Sequence, residues 1–256
     1  MHLKKIAFIP ARSGSKRVAN KNILPLNGHP ILAYTIRAAI DSKSFDKVVC
    51  ITDSKEYADI AKYYGAEVPL LRPKKNAQDK SPDIDWLIWI TEFFTKKKDN
   101  FDIFSILRPT NPLRLSSTIN RAMKKFLSSK NIDSLRAIEK ANPHPGKMWV
   151  VRNDRMFPIL PYLREDTPWH STQYAGLPEV YQQDASLEIG WVKIVKKYKS
   201  ISGHTIVPFY STGYEGKDIN DINDLMYIRF LVEKNLAILP DINIKPYDLK
   251  QLNLEK

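Results

Sequence analysis

Between Ile6 and Asn22 the chain places four cations, Arg12, Lys16, Arg17 and Lys21, in a loop that follows a short apolar run. Lys5 to Ile9 reads as a buried parallel strand, and Pro10 ends it. Gly14 permits the positive φ with which backbone N–H groups turn inward on an anion, and Ser13 and Ser15 add small hydroxyls. The cations would neutralise a polyphosphate, arginine through its planar fork and lysine as a point charge. The spacing is not a Walker A loop, and a single glycine excludes the dinucleotide fingerprint. The same composition also suits a solvated basic turn after an edge strand.

Strand-like and helix-like segments alternate behind this loop. A helix is expected over 30–41 with Pro30 at its start, a strand over 47–52, and a helix over 54–64 capped by Asp53 or Ser54 and closed at Gly65. Val68 to Leu71 reads as a short strand, Ser81 to Phe94 as a helix, and 101–107 and 132–138 as strands. Ser116 or Ser117 is expected to cap the helix that runs to Leu127. Such alternation argues for βαβ units and a mostly parallel sheet. From about 139 to 185 prolines and aromatics interrupt it, more than a compact domain leaves structureless. Ser186–Val195 alternates like a strand, Ile222–Asn235 reads as the last helix, and 241–256 as a peripheral tail.

A chain of 256 residues suffices for one large α/β domain, so 1–256 is read as a single unit. No run approaches the ~18–20 apolar residues of a membrane span, and the N-terminus does not read as a signal peptide. Cys50 is the single cysteine, which excludes a disulfide within the chain. The expected location is cytoplasmic, with no membrane partner. A net charge of +12 suits anionic substrates or nucleic acid. Runs such as Lys96–Lys98 read as solvated element ends, and no nucleic-acid-binding signature is present, so no nucleic-acid partner is expected.

The motif Ala11-Arg12-x-x-Ser15-Lys16 followed by Lys21-Asn22-Ile23 resembles the signature of the acylneuraminate cytidylyltransferases, the CMP-sialic acid synthetases. Asn27-Gly28-His29-Pro30-Ile31, Thr52-Asp53, Leu71-Arg72-Pro73, Leu107–Arg114 and Asp218-Ile219-Asn220 follow in that family's order. The resemblance implies a three-layer Rossmann-like α/β nucleotidyltransferase with an inserted dimerisation lobe at 139–185, acting as a homodimer. It implies transfer of CMP from CTP to an acidic nine-carbon sugar with Mg²⁺. Arg12, Ser15, Lys16 and Lys21 would lie at the phosphates, with Ala11, Asn22 and Arg72 also on the nucleotide. Arg12, Lys16, Lys21 and Asp218 would carry catalysis.

The departures are as informative. Many relatives place glutamine before the Pro-Thr-x-Pro motif, where this chain has Arg108. Arginine only donates, so it would read the O2 and N3 acceptors of cytosine, and uracil lacks the second of these. Asp218 and Asn220 stand where relatives carry a metal-binding Asp-x-Asp, which leaves Asp218 the stronger ligand and Asp221 a reserve or a helix cap. Lys147 matches a family lysine near the sugar; Gln173, Gln183 and Glu188 are further sugar candidates in stretches that diverge. That divergence suits a modified nonulosonic acid, such as a diacetamido sugar, as readily as sialic acid. A 3-deoxy-octulosonate cytidylyltransferase is the nearest alternative, although such enzymes lack the Lys21–Ile23 continuation. The histidines show no metal-ligand spacing, and Ser13 and Ser15 have no histidine partner.

Overall fold

The computed structural model describes residues 2–15, 17–160 and 167–248. Strand β1 (Lys5–Pro10) leads through the short pair β2 (Pro25–Leu26) and β3 (His29–Pro30) into α1 (Ile31–Asp41). β4 (Lys47–Ile51), α2 (Lys55–Tyr63), α3 (Asp83–Lys96), β5 (Ile103–Leu107), α4 (Ser116–Ser128) and β6 (Ser134–Lys140) follow. A hairpin of β7 (Trp149–Arg152) and β8 (Arg155–Pro158) precedes the long β9 (Tyr181–Trp191), then α5 (Val192–Tyr198), β10 (Ile206–Tyr210) and α6 (Ile222–Glu233).

Six strands form one sheet in the order β10-β6-β9-β5-β1-β4. β1 is parallel to β4 and β5, and β10 to β6; β9 alone runs antiparallel, wedged between β5 and β6. The apolar run of β1 is explained by burial on both faces. Ala7 and Ile9 join a cluster with α1, α2 and α4, whereas Ile6 and Phe8 join one with α3 and α5. Phe8 meets Trp86 of α3 edge to face at 5.9 Å. The three-layer α/β fold expected from the sequence is the one observed. α6 adds a smaller cluster in which Leu225, Ile228 and Leu231 pack on Ile31 and Tyr34.

Several local expectations are corrected. Val68–Leu71 forms no strand: Glu67 exchanges hydrogen bonds with Val48 and Cys50 at 2.8 and 2.9 Å, but Pro69, the next residue in register, has no N–H to continue the ladder. Neither Ser116 nor Ser117 caps α4; both lie inside it, after Leu115. α3 begins at Asp83 with Pro82 as its N-cap, so Ser81 lies outside. Ser186–Val195 divides between β9, which starts at Tyr181, and α5, which takes Val192 to Val195. Residues 139–140 and 181–185 of the expected lobe therefore belong to the sheet. The remainder includes the hairpin, whose Val151, Met156 and Phe157 are 67 %, 58 % and 49 % exposed. In the tail, the Tyr247 N–H donates to the Tyr64 hydroxyl at 3.0 Å, and 249–256 lies outside the described residues.

Candidate active site

Because β1 and β5 are parallel, their carboxyl ends open on the same edge of the sheet, where open α/β sheets hold ligands. A cleft of about 500 Å³ lies there. Arg12, Ser15, Arg17, Lys21 and Asn22 line it from the loop after β1, and Arg108 and Thr110 from the loop after β5. Arg72, Asp79, Ser81 and Asp83 close the third side. Six of the expected nucleotide residues are thus brought together. Lys16 lies outside the described residues. Ala11 is a correction: it is fully buried, does not line the cleft, and its N–H is committed to the Ile51 carbonyl at 2.9 Å.

The loop is shaped by polar anchors. Asp53, just beyond β4, accepts from the Ser13 N–H at 2.9 Å and from its hydroxyl at 3.1 Å. Asn20 adopts a left-handed φ of 53°, and its side chain accepts from the Tyr57 hydroxyl at 3.3 Å. Asn22 donates to the Arg12 carbonyl at 3.0 Å, and Arg12 Nη1 donates to Asp79 at 2.6 Å and to the Gly14 carbonyl at 2.8 Å. Lys21 Nζ donates to the Ile219 carbonyl at 2.7 Å. Burial lowers the Lys21 pKa; Asp218 opposes this, while Arg17 and Arg12 add to it. The cleft is lined by five cationic side chains against two carboxylates, Asp79 and Asp83, an excess of positive charge that suits a polyanion.

Three arginines follow the motif around β5 and the loop after β4. Arg72 is buried, donates to the Asn76 carbonyl, and lies 5.7 Å over the Trp86 ring; burial pushes it down to about 10. Arg108 Nη2 donates to Asp83 at 2.7 Å and to Glu188 at 3.0 Å. Burial opposes the Arg108 charge, but the two carboxylates outweigh it and raise its pKa. For Asp83, burial alone would raise the carboxyl; Arg108 and a 2.8 Å bond from Trp86 Nε1 hold it below the usual range. Sequence reasoning assigned no role to Arg114 or Asp83. Arg114 is fully buried and holds the loop from beneath, donating to the Ser186 carbonyl, to Thr35 at 2.9 Å and to the Arg108 carbonyl at 3.2 Å. Asp83 gave a signal, an acid in a first helical turn, but that pattern points to the helix dipole rather than to a cleft.

The segment after β10 brings Asp218 to Lys21. Asn111 donates to the Gly216 carbonyl at 3.0 Å, and the Ile219 N–H to the Thr110 carbonyl at 2.8 Å. Gly216 lies so close to Asp184 that a Cβ there would stand 2.7 Å from its Oδ2. Asp221 is the cap of α6: it accepts from the Asn223 and Asp224 N–H groups, and Asp224 returns a bond to its backbone. Asp218 differs, since its Oδ1 is buried and has no hydrogen-bond partner among the described residues. One carboxylate with an unspent oxygen, beside Asn220, fits a hard cation that keeps waters and substrate phosphates in its shell. Among the described residues no three His, Cys, Asp or Glu side chains form a metal cage.

The sugar-side candidates do not gather. None of Lys147, Gln173, Gln183 and Glu188 lines the cleft. Lys147 Nζ is committed to the His170 and Thr172 carbonyls at 2.8 and 2.6 Å and so braces its own loop. Gln173 is exposed beside the turn Tyr174–Gly176. Gln183 is exposed too, and accepts from Arg136 at 2.6 Å. Glu188 is corrected from a sugar contact to a buried counter-ion, 2 % exposed and paired with Arg108, because its antiparallel strand turns it onto the arginine.

A sequence profile described as "Cytidylyltransferase" matches residues 6–142. The N-acylneuraminate cytidylyltransferase of Escherichia coli O18:K1:H7 is 40% identical over 56% of this chain and 33% of its own length. The CMP-N,N'-diacetyllegionaminic acid synthase of Legionella pneumophila is 42% identical over 48% of this chain and 53% of its own. The chain thus matches from a third to about half the length of these two relatives. Among solved structures, CMP:2-keto-3-deoxy-manno-octonic acid synthetase complexed with CTP superposes with a TM-score of 0.64 at 16% identity, covering 91% of this chain and 99% of that one. That last likeness concerns the fold alone.

Proposed function

The chain belongs to the cytidylyltransferase family, and on that premise we propose that it transfers CMP from CTP to the anomeric hydroxyl of a nonulosonic, sialic-acid-like sugar, releasing pyrophosphate. The observation that carries this reading is the cleft at the carboxyl edge of β1 and β5, where Arg12, Arg17 and Lys21 stand on one side and Arg72 and Arg108 on the other. Nucleotidyl transfer asks for an in-line hydroxyl and for neutralised charge on the leaving pyrophosphate. Arg12 and Lys21 neutralise that charge, Ser15 and Lys16 are assigned to the same phosphates, and Asn22 lies against the nucleotide. Arg108 presents donors to cytosine O2 and N3. Asp218, with Asn220 next in line, would hold Mg²⁺, which supplies charge stabilisation to the phosphates and acidifies the sugar hydroxyl.

The sugar side belongs to the segment between β6 and β9. The exposed Val151, Met156 and Phe157 of the hairpin suit burial against a second copy, so the working species is a homodimer. Among the described residues no helix is long and apolar enough to cross a membrane, and the proposed compartment is the cytoplasm. The relatives' names favour a nonulosonic acceptor over 3-deoxy-octulosonate. The test is pyrophosphate release from CTP with a panel of acceptors: sialic acid, diacetamido nonulosonic acids and 3-deoxy-octulosonate. Release should require both Mg²⁺ and a nonulosonic acid. Release with 3-deoxy-octulosonate alone would replace the acceptor assigned, and none with any sugar would remove the activity.

A further inference from the structure

Four charged side chains converge at one side of the cleft: Asp83 and Arg108, which line it, and Arg136 and Glu188, which do not. Glu188 stands mid-sheet on β9, opposite Ile106 of β5 and Arg136 of β6. Its Oε1 lies 3.0 Å from Arg108 Nη2, and its Oε2 lies 3.7 Å from Arg136 Nη2 with no hydrogen bond among the described residues. A carboxylate in that position gives up its hydration, and two guanidinium groups flank it in place of water. A buried ion pair adds little stability over an apolar replacement, so stability is a poor account of why Glu188 is there.

What the pair does fix is direction. Arg108 Nη2 is shared between Glu188 on the sheet side and Asp83 on the helix side, 2.7 Å away. The Arg108 carbonyl is gripped as well, by Arg114 at 3.2 Å and Thr35 at 3.3 Å. Among the described residues Nη1 and Nε of Arg108 have no protein partner, and the side chain lines the cleft. We propose that Glu188 is a positioning residue: together with Asp83 it clamps Nη2 of Arg108, so that the rest of the guanidinium faces the nucleotide in one fixed orientation. The proposal rests on the reading of the cleft as the CTP site. An unclamped arginine would have to be ordered by the ligand itself, at a cost in affinity.

The experiment is a double-mutant cycle on CTP binding by calorimetry and on the ratio of kcat/KM for CTP to that for UTP. Glu188→Gln keeps the shape and removes the charge. It should weaken CTP about tenfold to a hundredfold and narrow the CTP/UTP ratio, the scale typical of supporting shells. In an Arg108→Ala background it should change neither. A merely structural glutamate would lower melting temperature while leaving the ratio intact, and that result overturns the proposal. So does strict additivity with Arg108→Ala. Should Glu188→Gln not fold, Asp83→Asn on the cleft wall, 28 % exposed, carries the same cycle with the same expectation. A wild-type protein that binds no CTP brings down the reading of the cleft and the clamp with it; normal CTP binding with an unaltered Glu188→Gln brings down the clamp alone.

Discussion

At the carboxyl edge of β1 and β5, the cations are held by neighbours that fix their direction: Arg12 by Asp79, Lys21 by the Ile219 carbonyl, Arg108 by Asp83 and Glu188. In the segment between β6 and β9 Lys147 turns onto the His170 and Thr172 carbonyls of its own segment, while Val151, Met156 and Phe157 are exposed. The cation-lined edge forms its cleft within one chain. The hairpin segment, on the function proposed above, gains its use against another copy. On that function, phosphate recognition is built from one sheet edge, whereas the acceptor side is expected to draw on the surface of a second copy.

The largest test of the sheet edge is Asp218→Ala. It should cost on the order of 10²–10³ in turnover while leaving CTP binding nearly intact, because charge stabilisation concentrates in the transition state. Near-normal rates at saturating Mg²⁺ would remove Asp218 from the chemistry. Arg12→Ala comes next: loss of a charge-assisted contact, about 1.5–3 kcal/mol, should weaken CTP roughly tenfold to a hundredfold in calorimetry. The hairpin segment is probed by Phe157→Glu. Sedimentation should show a monomer, and the KM for the acceptor should rise with CTP affinity unchanged; a variant that stays dimeric and fully active would erase the contrast.

The smallest effect is in pH. Burial has lowered the Lys21 pKa in the free protein, and a bound triphosphate would raise it again, so binding takes up a proton. CTP affinity is then full below the free-state value and declines as pH climbs through it. Lys21→Arg should flatten that decline, since arginine stays protonated. An unchanged slope in Lys21→Arg would assign the titration elsewhere.

Much of this organisation is legible in the chain itself. The cation-rich loop after an apolar strand predicts a phosphate cradle, and the observed cleft has Arg12, Ser15, Lys21 and Asn22 on one wall. β1, α1, β4 and α2 fall within a residue or two of their expected bounds because period, Pro30 and Ser54 act locally. β10 is not legible: Pro208 at its centre argues against a strand, but β10 pairs only with β6 at the sheet edge, where a missing N–H is tolerated. Nor is the division of 186–195 between β9 and α5, since a short apolar run does not separate strand from helix.

Residue types alone specify which groups could hold a nucleotide's phosphates, because that chemistry depends on side chains close together along the chain. It took the folded sheet to make Glu188 a counter-ion to Arg108, to add Asp83 to the pair, and to bring Asp218 to Lys21. The pairing of Glu188 depends on an antiparallel strand inserted between two others and on the register it adopts. A shift of one residue would turn Glu188 to the opposite face of the sheet, and no local pattern encodes that choice.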